Sequence, residues 1–141
     1  MRVIDIRAAT TGDCCELRGR VLSDFPPAEA RWFAPFDLWY RFPSWCAPWL
    51  RADNGDPFLA ALLLAAMRNE PRLAIAAPFS PRLREALPDL QALYAAFDPR
   101  ATTIAVEADV REPAPATASA VALFFSLGVD STYSLLKNRQ A

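Results

Sequence analysis

The 141 residues of this chain, 53% of them hydrophobic, make one ordinary domain's length with enough apolar material for a core. Basic and acidic residues, 15 against 16, nearly cancel and form no long run of either sign, which disfavours nucleic acid or an anionic membrane as partners. The chain has no histidine, and this removes Ser-His-Asp and Cys-His nucleophilic systems, H-E-x-x-H zinc sites and most transition-metal sites together.

The N-terminus Met1-Arg2-Val3-Ile4-Asp5 is interrupted by charge where a signal peptide needs an apolar core, so a cytoplasmic chain is expected. Residues 2 to 8 and about 14 to 22 alternate around Thr10-Thr11-Gly12-Asp13, which predicts a hairpin. Cys14, Cys15 and Cys46 are odd in number and lack C-x-x-C spacing, arguing against a disulfide framework and a zinc site. Packing is the expected role of Cys14 and Cys15.

From 25 to 50 the chain interleaves prolines with Phe25, Trp32, Phe33, Phe36, Trp39, Tyr40, Phe42, Trp45 and Trp49. Regular structure is expected to be interrupted there, giving an irregular wrap whose rings mostly cover a sheet face. Asp53-Asn54-Gly55-Asp56 has a calcium-loop flavour, but the twelfth position from Asp53 is Leu64 and not the required glutamate. A turn is expected instead, with Asp56 as N-cap, Pro57 at the first helical position and a helix to about Asn69. Its apolar run, Phe58 to Met67, is too short to span a bilayer.

Arg72 to Ala76 reads as a short apolar strand, and Ser80-Pro81 opens a second helix in which Leu83, Leu87, Leu90, Leu93, Tyr94 and Phe97 recur at helical spacing. Thr102 to Ala108 is β-branched and reads as a strand. Glu107, Asp109 and Glu112 near its end are expected to be solvated, and Arg111 to Ser119 to form a linker. Val121 to Phe125 is a further apolar strand, followed by a helix whose Val129, Tyr133 and Leu136 are spaced to make a buried face. The pattern predicts an α/β fold: an N-terminal β-hairpin and an incomplete, mostly parallel sheet, covered by helices on both faces and ending in a strand, loop and helix. A sheet ending on its last strand would expose an edge, so self-association into a homo-oligomer is plausible on physical grounds.

That last unit is suited to anions, because amides at a helix start lack intrahelical acceptors and carry partial positive charge. Ser126 and Ser131 add hydroxyls, Gly128 admits close approach, and Asp130 is placed either to cap the helix or to face a magnesium ion.

Ser126-Leu127-Gly128-Val129-Asp130-Ser131 resembles the S-G-G-x-D-S loop of the PP-loop ATP pyrophosphatases, with Leu127 in place of the first glycine. That family includes asparagine synthetase, GMP synthetase, NAD synthetase, argininosuccinate synthase, tRNA-lysidine synthetase and 7-cyano-7-deazaguanine synthase. The resemblance implies ATP and Mg2+ as cofactors, Ser126, Gly128, Asp130 and Ser131 as phosphate contacts and Asp130 as the metal contact. It implies adenylation of an acceptor oxygen with release of pyrophosphate, as in amide- and C–N-forming ligases. It covers about residues 119 to 138, so 1–118 are expected to form an added N-terminal region and 119–141 the start of a nucleotide-binding domain. Such a front piece is expected to show little or no catalysis by itself. The rival expectation is a non-catalytic interaction or self-association domain with a vestigial loop.

Overall fold

The computed structural model describes residues 1–26, 29, 35–112 and 128–137, and within helix α3 the side chain of Leu135 is excepted. The chain runs β1 (Arg2–Thr11), β2 (Cys14–Leu22), β3 (Phe36–Pro43), a 3-10 helix (Ser44–Trp49), α1 (Asp56–Asn69), β4 (Arg72–Ile75), α2 (Pro81–Phe97), β5 (Ala105–Glu107) and α3 (Val129–Lys137). The fold is α/β, and its described strands form a five-stranded sheet in the order β3-β2-β1-β4-β5.

That sheet is mixed, not mostly parallel. β1, β2 and β3 pair antiparallel as a meander, while β4 joins β1, and β5 joins β4, in parallel. The physical reason lies in residues 36–43. Phe36, Leu38 and Tyr40 point to the core and alternate with Asp37, Trp39 and Arg41, the period of a half-buried strand. Pro35 and Pro43 bracket that strand, so the prolines limit it without breaking it, and over 36–49 the irregular wrap expected for 25–50 is corrected to a strand followed by a 3-10 helix.

Helix α1 starts at Asp56 with Pro57 in its first turn, and the N-cap is Gly55, one residue earlier than expected. Backbone packing sets that boundary. The Gly55 amide donates to Pro78 O at 2.8 Å, and a Cβ on Gly55 would meet Ala77 O at 2.6 Å. Helix α2 begins at Pro81 behind Ser80, whose hydroxyl accepts from the Leu83 amide, and it continues through Pro88 to Phe97. Leu87 is buried and Leu83, Leu90 and Tyr94 line the core, while Leu93 and Phe97 face solvent. β5 is shorter than the 102–108 strand expected, because Thr102 turns to donate to Met67 O at the end of α1 and the Ile104 amide goes to the buried Gln91 Oε1 at 2.8 Å.

The core lies between the sheet and α1. Phe58, Leu59, Leu62, Leu63, Ala66 and Met67 meet Val3, Leu17, Val21, Leu73 and Ile75. Phe58 sits over the middle of β2, where a Cβ on Gly19 would come within 2.8 Å of its ring, so only glycine lets helix and sheet approach this closely. Burying Phe58 alone is worth about 1.5–3 kcal/mol. Sheet and helices are also joined at one end by a buried ion cluster. The Met1 ammonium contacts Glu70 Oε2 at 3.1 Å, Asp24 Oδ2 at 3.0 Å and Arg72 O at 2.8 Å. Ser23 Oγ and the Asp24 amide donate to the same Glu70 carboxylate.

Among the described residues, α1 and α2 cover one face only, and the opposite face of β1–β3 presents Arg7, Glu16, Arg18, Arg20 and Asp37. This corrects the expected covering of both faces. No helix of the described chain is long and apolar enough to cross a membrane.

Burial works to raise the Asp24 carboxyl, but hydrogen bonds and charge from the Met1 ammonium and Arg72 outweigh it and hold the group below the ordinary carboxylate range. A carboxyl depressed in the folded state contributes stability above its unfolded value, and that contribution drains away as pH falls below about 4. Asp24→Asn is expected to lower stability by about 1–3 kcal/mol at pH 7 and to flatten the loss between pH 4 and 2, as read from urea midpoints across that range.

Candidate functional site at the start of the last helix

Helix α3 follows directly on Gly128, as the strand-loop-helix reading requires of its final element. Thr132 N–H donates to Gly128 O at 3.0 Å and opens the helical ladder, so the amides of Val129 and Asp130 precede it. Asp130 lies in the first turn with its carboxylate exposed, and Lys137 sits in the last turn, the charge order that complements the helix dipole. Ser131 is buried, and its hydroxyl donates to Gly128 O at 2.9 Å, bending the Gly128 carbonyl back into the helix start. Gly128, Asp130 and Ser131 are therefore gathered on one turn. Ser126, Leu127 and the 121–125 strand lie outside the described residues.

The face expected to hold α3 against the sheet is not buried. Val129, Tyr133 and Leu136 are 86%, 62% and 61% exposed, and among the helix side chains described the buried one is Ser131. Periodicity located a stripe on the helix correctly, but a stripe in sequence does not specify what covers it. Lys137 Nζ stands 5.8 Å from the Tyr133 ring centroid, a cation–π contact on the solvent side.

The other sequence candidates have structural roles. Asp56 Oδ1 accepts from the Ser80 amide at 2.7 Å and Oδ2 from Arg111 Nη2 at 3.2 Å, so this carboxylate ties the start of α1 to the start of α2. Asn54 Oδ1 accepts from the Asp56 amide, and Asp53 pairs with Arg51. Both leave the calcium-loop reading without ligands, and no cluster of potential metal ligands occurs among the described residues. Glu107 is held by Arg72 Nη1 at 3.1 Å, while Asp109 serves through its backbone, accepting from the Phe79 amide. Cys15 is buried, its thiol is pushed up by that burial, and its Sγ bonds to Pro43 O at 3.3 Å, the behaviour of a packing residue.

Two hollows lie on the surface away from the last helix. An apolar hollow of about 330 Å³ lies where β3, the 3-10 helix and α1 meet, walled by Leu17, Tyr40, Phe42, Cys46, Trp49 and Leu50. Tyr40 crosses beneath it, donating to Pro57 O at 2.8 Å and packing edge-on to Phe58. Beside it Trp45 and Trp49 form an edge-to-face pair, 69% and 71% exposed, so these rings do not cover the sheet as expected. The second feature is a hollow of about 470 Å³ on the outer face of β1–β3, bounded by arginines and carboxylates.

Comparison of the chain with protein-family models, with curated proteins and with solved structures returns no match.

Asp56→Ala is expected to lower stability by about 1–3 kcal/mol, since it leaves the Ser80 amide and Arg111 without their shared acceptor. Urea unfolding with and without millimolar calcium tests this, and calcium is expected to leave the wild-type midpoint unchanged.

Proposed function

We propose that the chain carries the start of a PP-loop nucleotide-binding domain, with 1–118 as an added N-terminal region and 119–141 as the beginning of the ATP site. The observation that carries this reading is the coincidence of the 126–131 sequence with a helix start at Gly128, where Asp130 is exposed in the first turn. On this reading the amides of Val129 and Asp130, with the Ser126 hydroxyl, receive the phosphates of ATP, and the Asp130 carboxylate holds Mg2+ against them. ATP bound this way supplies an α-phosphate for attack by an acceptor oxygen, with pyrophosphate as the leaving group, the chemistry of an adenylating amide- or C–N-forming ligase.

Ser131 has a supporting role in this arrangement. Its hydroxyl donates to Gly128 O at 2.9 Å and so fixes the turn on which the amides are displayed. Leu127 takes a position where the resembling loop has glycine, and a side chain there narrows the approach to the phosphates.

A second reading is favoured by a separate observation. Phe42, Trp45 and Trp49 are all at least 40% exposed where β3 runs into the 3-10 helix, a cluster of exposed rings of the kind that marks interaction surfaces. That surface suits self-association or docking of a partner, with the loop a vestige.

Calorimetric titration of Mg-ATP into the chain distinguishes the two. The nucleotide reading predicts binding that Asp130→Ala weakens at least tenfold and Leu127→Gly strengthens. No heat from any variant, together with an oligomeric state that changes on Trp45→Ser, selects the interaction reading.

A further inference from the structure

We infer that the outer face of the meander is a binding site for a small dianion, a phosphate or dicarboxylate group, held between Arg7 and Arg18.

β1 and β2 keep a regular antiparallel register except at one place, between Ile4 and Arg7, where β1 holds an extra residue. Asp5 occupies the bulge with φ of 52°, a left-handed conformation that costs a non-glycine residue about 1 kcal/mol. The bulge puts Arg7 directly opposite Arg18 on the solvent face. Like charges directly opposite in a ladder repel, so the bulge and the pairing it creates are both unfavourable for the empty sheet.

The neighbouring carboxylates are already engaged by other arginines. Asp37 accepts from Arg20 Nη1 at 2.9 Å, and Glu16 accepts from Arg41 Nη2 at 3.0 Å. Arg18 stands near both acids, with Nε 3.1 Å from Glu16 Oε1 and Nη1 3.8 Å from Asp37 Oδ2, but its Nε is buried and makes no hydrogen bond. Charge alone holds it there. Arg7 acts on Asp37 only through its field, the weakest of the influences that depress the Asp37 carboxyl after the hydrogen bond from Arg20. Asp5 also lines the same hollow.

Three guanidiniums and three acidic residues line the hollow, with Arg41 reaching Glu16 from beside it, and the two cations opposed in the ladder are the two without a hydrogen bond, Arg18 being held to Glu16 and Asp37 by ion pairing. A dianion between Arg7 and Arg18 converts their repulsion into two charge-assisted contacts, of the bidentate kind that guanidinium groups form with phosphate and carboxylate. The hollow of about 470 Å³ has room for such a group and the small molecule that carries it. An arginine here does what lysine does less well, since the fork is planar and its geometry is fixed.

The test is an NMR titration of the full chain, following the arginine Nε–Hε resonances while sodium phosphate, disodium malonate or sodium chloride is added at matched ionic strength. Saturable shifts of Arg7 and Arg18 with phosphate or malonate, absent with chloride, are expected in the millimolar range, and the tighter of the two names the anion class. Arg7→Gln is expected to weaken that binding at least tenfold while raising the melting temperature of the anion-free protein, because one of the repelling charges is gone. Asp130→Ala is expected to leave these shifts unchanged, which separates this site from the proposed ATP loop. Shifts that grow linearly with salt regardless of anion, or that persist in Arg7→Gln, overturn the inference.

Discussion

The arrangement rests on a charge taken out of water. The Met1 ammonium is fully buried and finds three acceptors, the Glu70 carboxylate, the Asp24 carboxylate and the Arg72 carbonyl. Those acceptors come from the end of α1, the segment after β2 and the first residue of β4, so one group fixes three elements around the start of β1. An isolated ammonium in such a place would cost several kcal/mol, and removing one member of a buried pair typically costs about 3–5 kcal/mol. The cluster holds because every donor of the ammonium is used and the Glu70 oxygens are further satisfied by Ser23 and the Asp24 amide. With β1 and β4 locked in parallel at this corner, α1 is laid across the sheet, and Gly19 lets Phe58 settle against β2.

Fixing one face in this way determines what the other face can be. The core under the helices takes Leu17 and Val21 of β2, with Cys15 buried against Pro43, and the pleat then sends Glu16, Arg18 and Arg20 outward. Trp39 of β3 stands beside them on that face, directly opposite Arg18. The result is a sheet with a packed side and a charged side, the arrangement typical of antiparallel meanders and unlike the doubly covered parallel sheet that the strand compositions suggested.

Much of this was written locally. Pro57 and Ser80-Pro81 mark two helix starts to within a residue, and the 2–8 and 14–22 alternation becomes β1 and β2. β3 was hidden because flanking prolines and large rings mimic a loop composition, although Asp37, Trp39 and Arg41 alternate plainly with Phe36, Leu38 and Tyr40. Non-local facts were out of reach. That Arg7 opposes Arg18 depends on a single extra residue at Asp5, and register is settled by tertiary pairing, not by composition. Likewise the stripe Val129, Tyr133 and Leu136 was visible while its exposure was not.

The role proposed for the turn around Gly128 is to receive ATP. Amide hydrogen exchange across the whole chain, with and without Mg-ATP, tests it most directly, because it reports where a ligand acts as well as whether one binds. ATP bound at that turn is expected to slow exchange only over about residues 126 to 132. Protection confined to the hollow beside Trp49, or no change anywhere at saturating Mg-ATP, would contradict it.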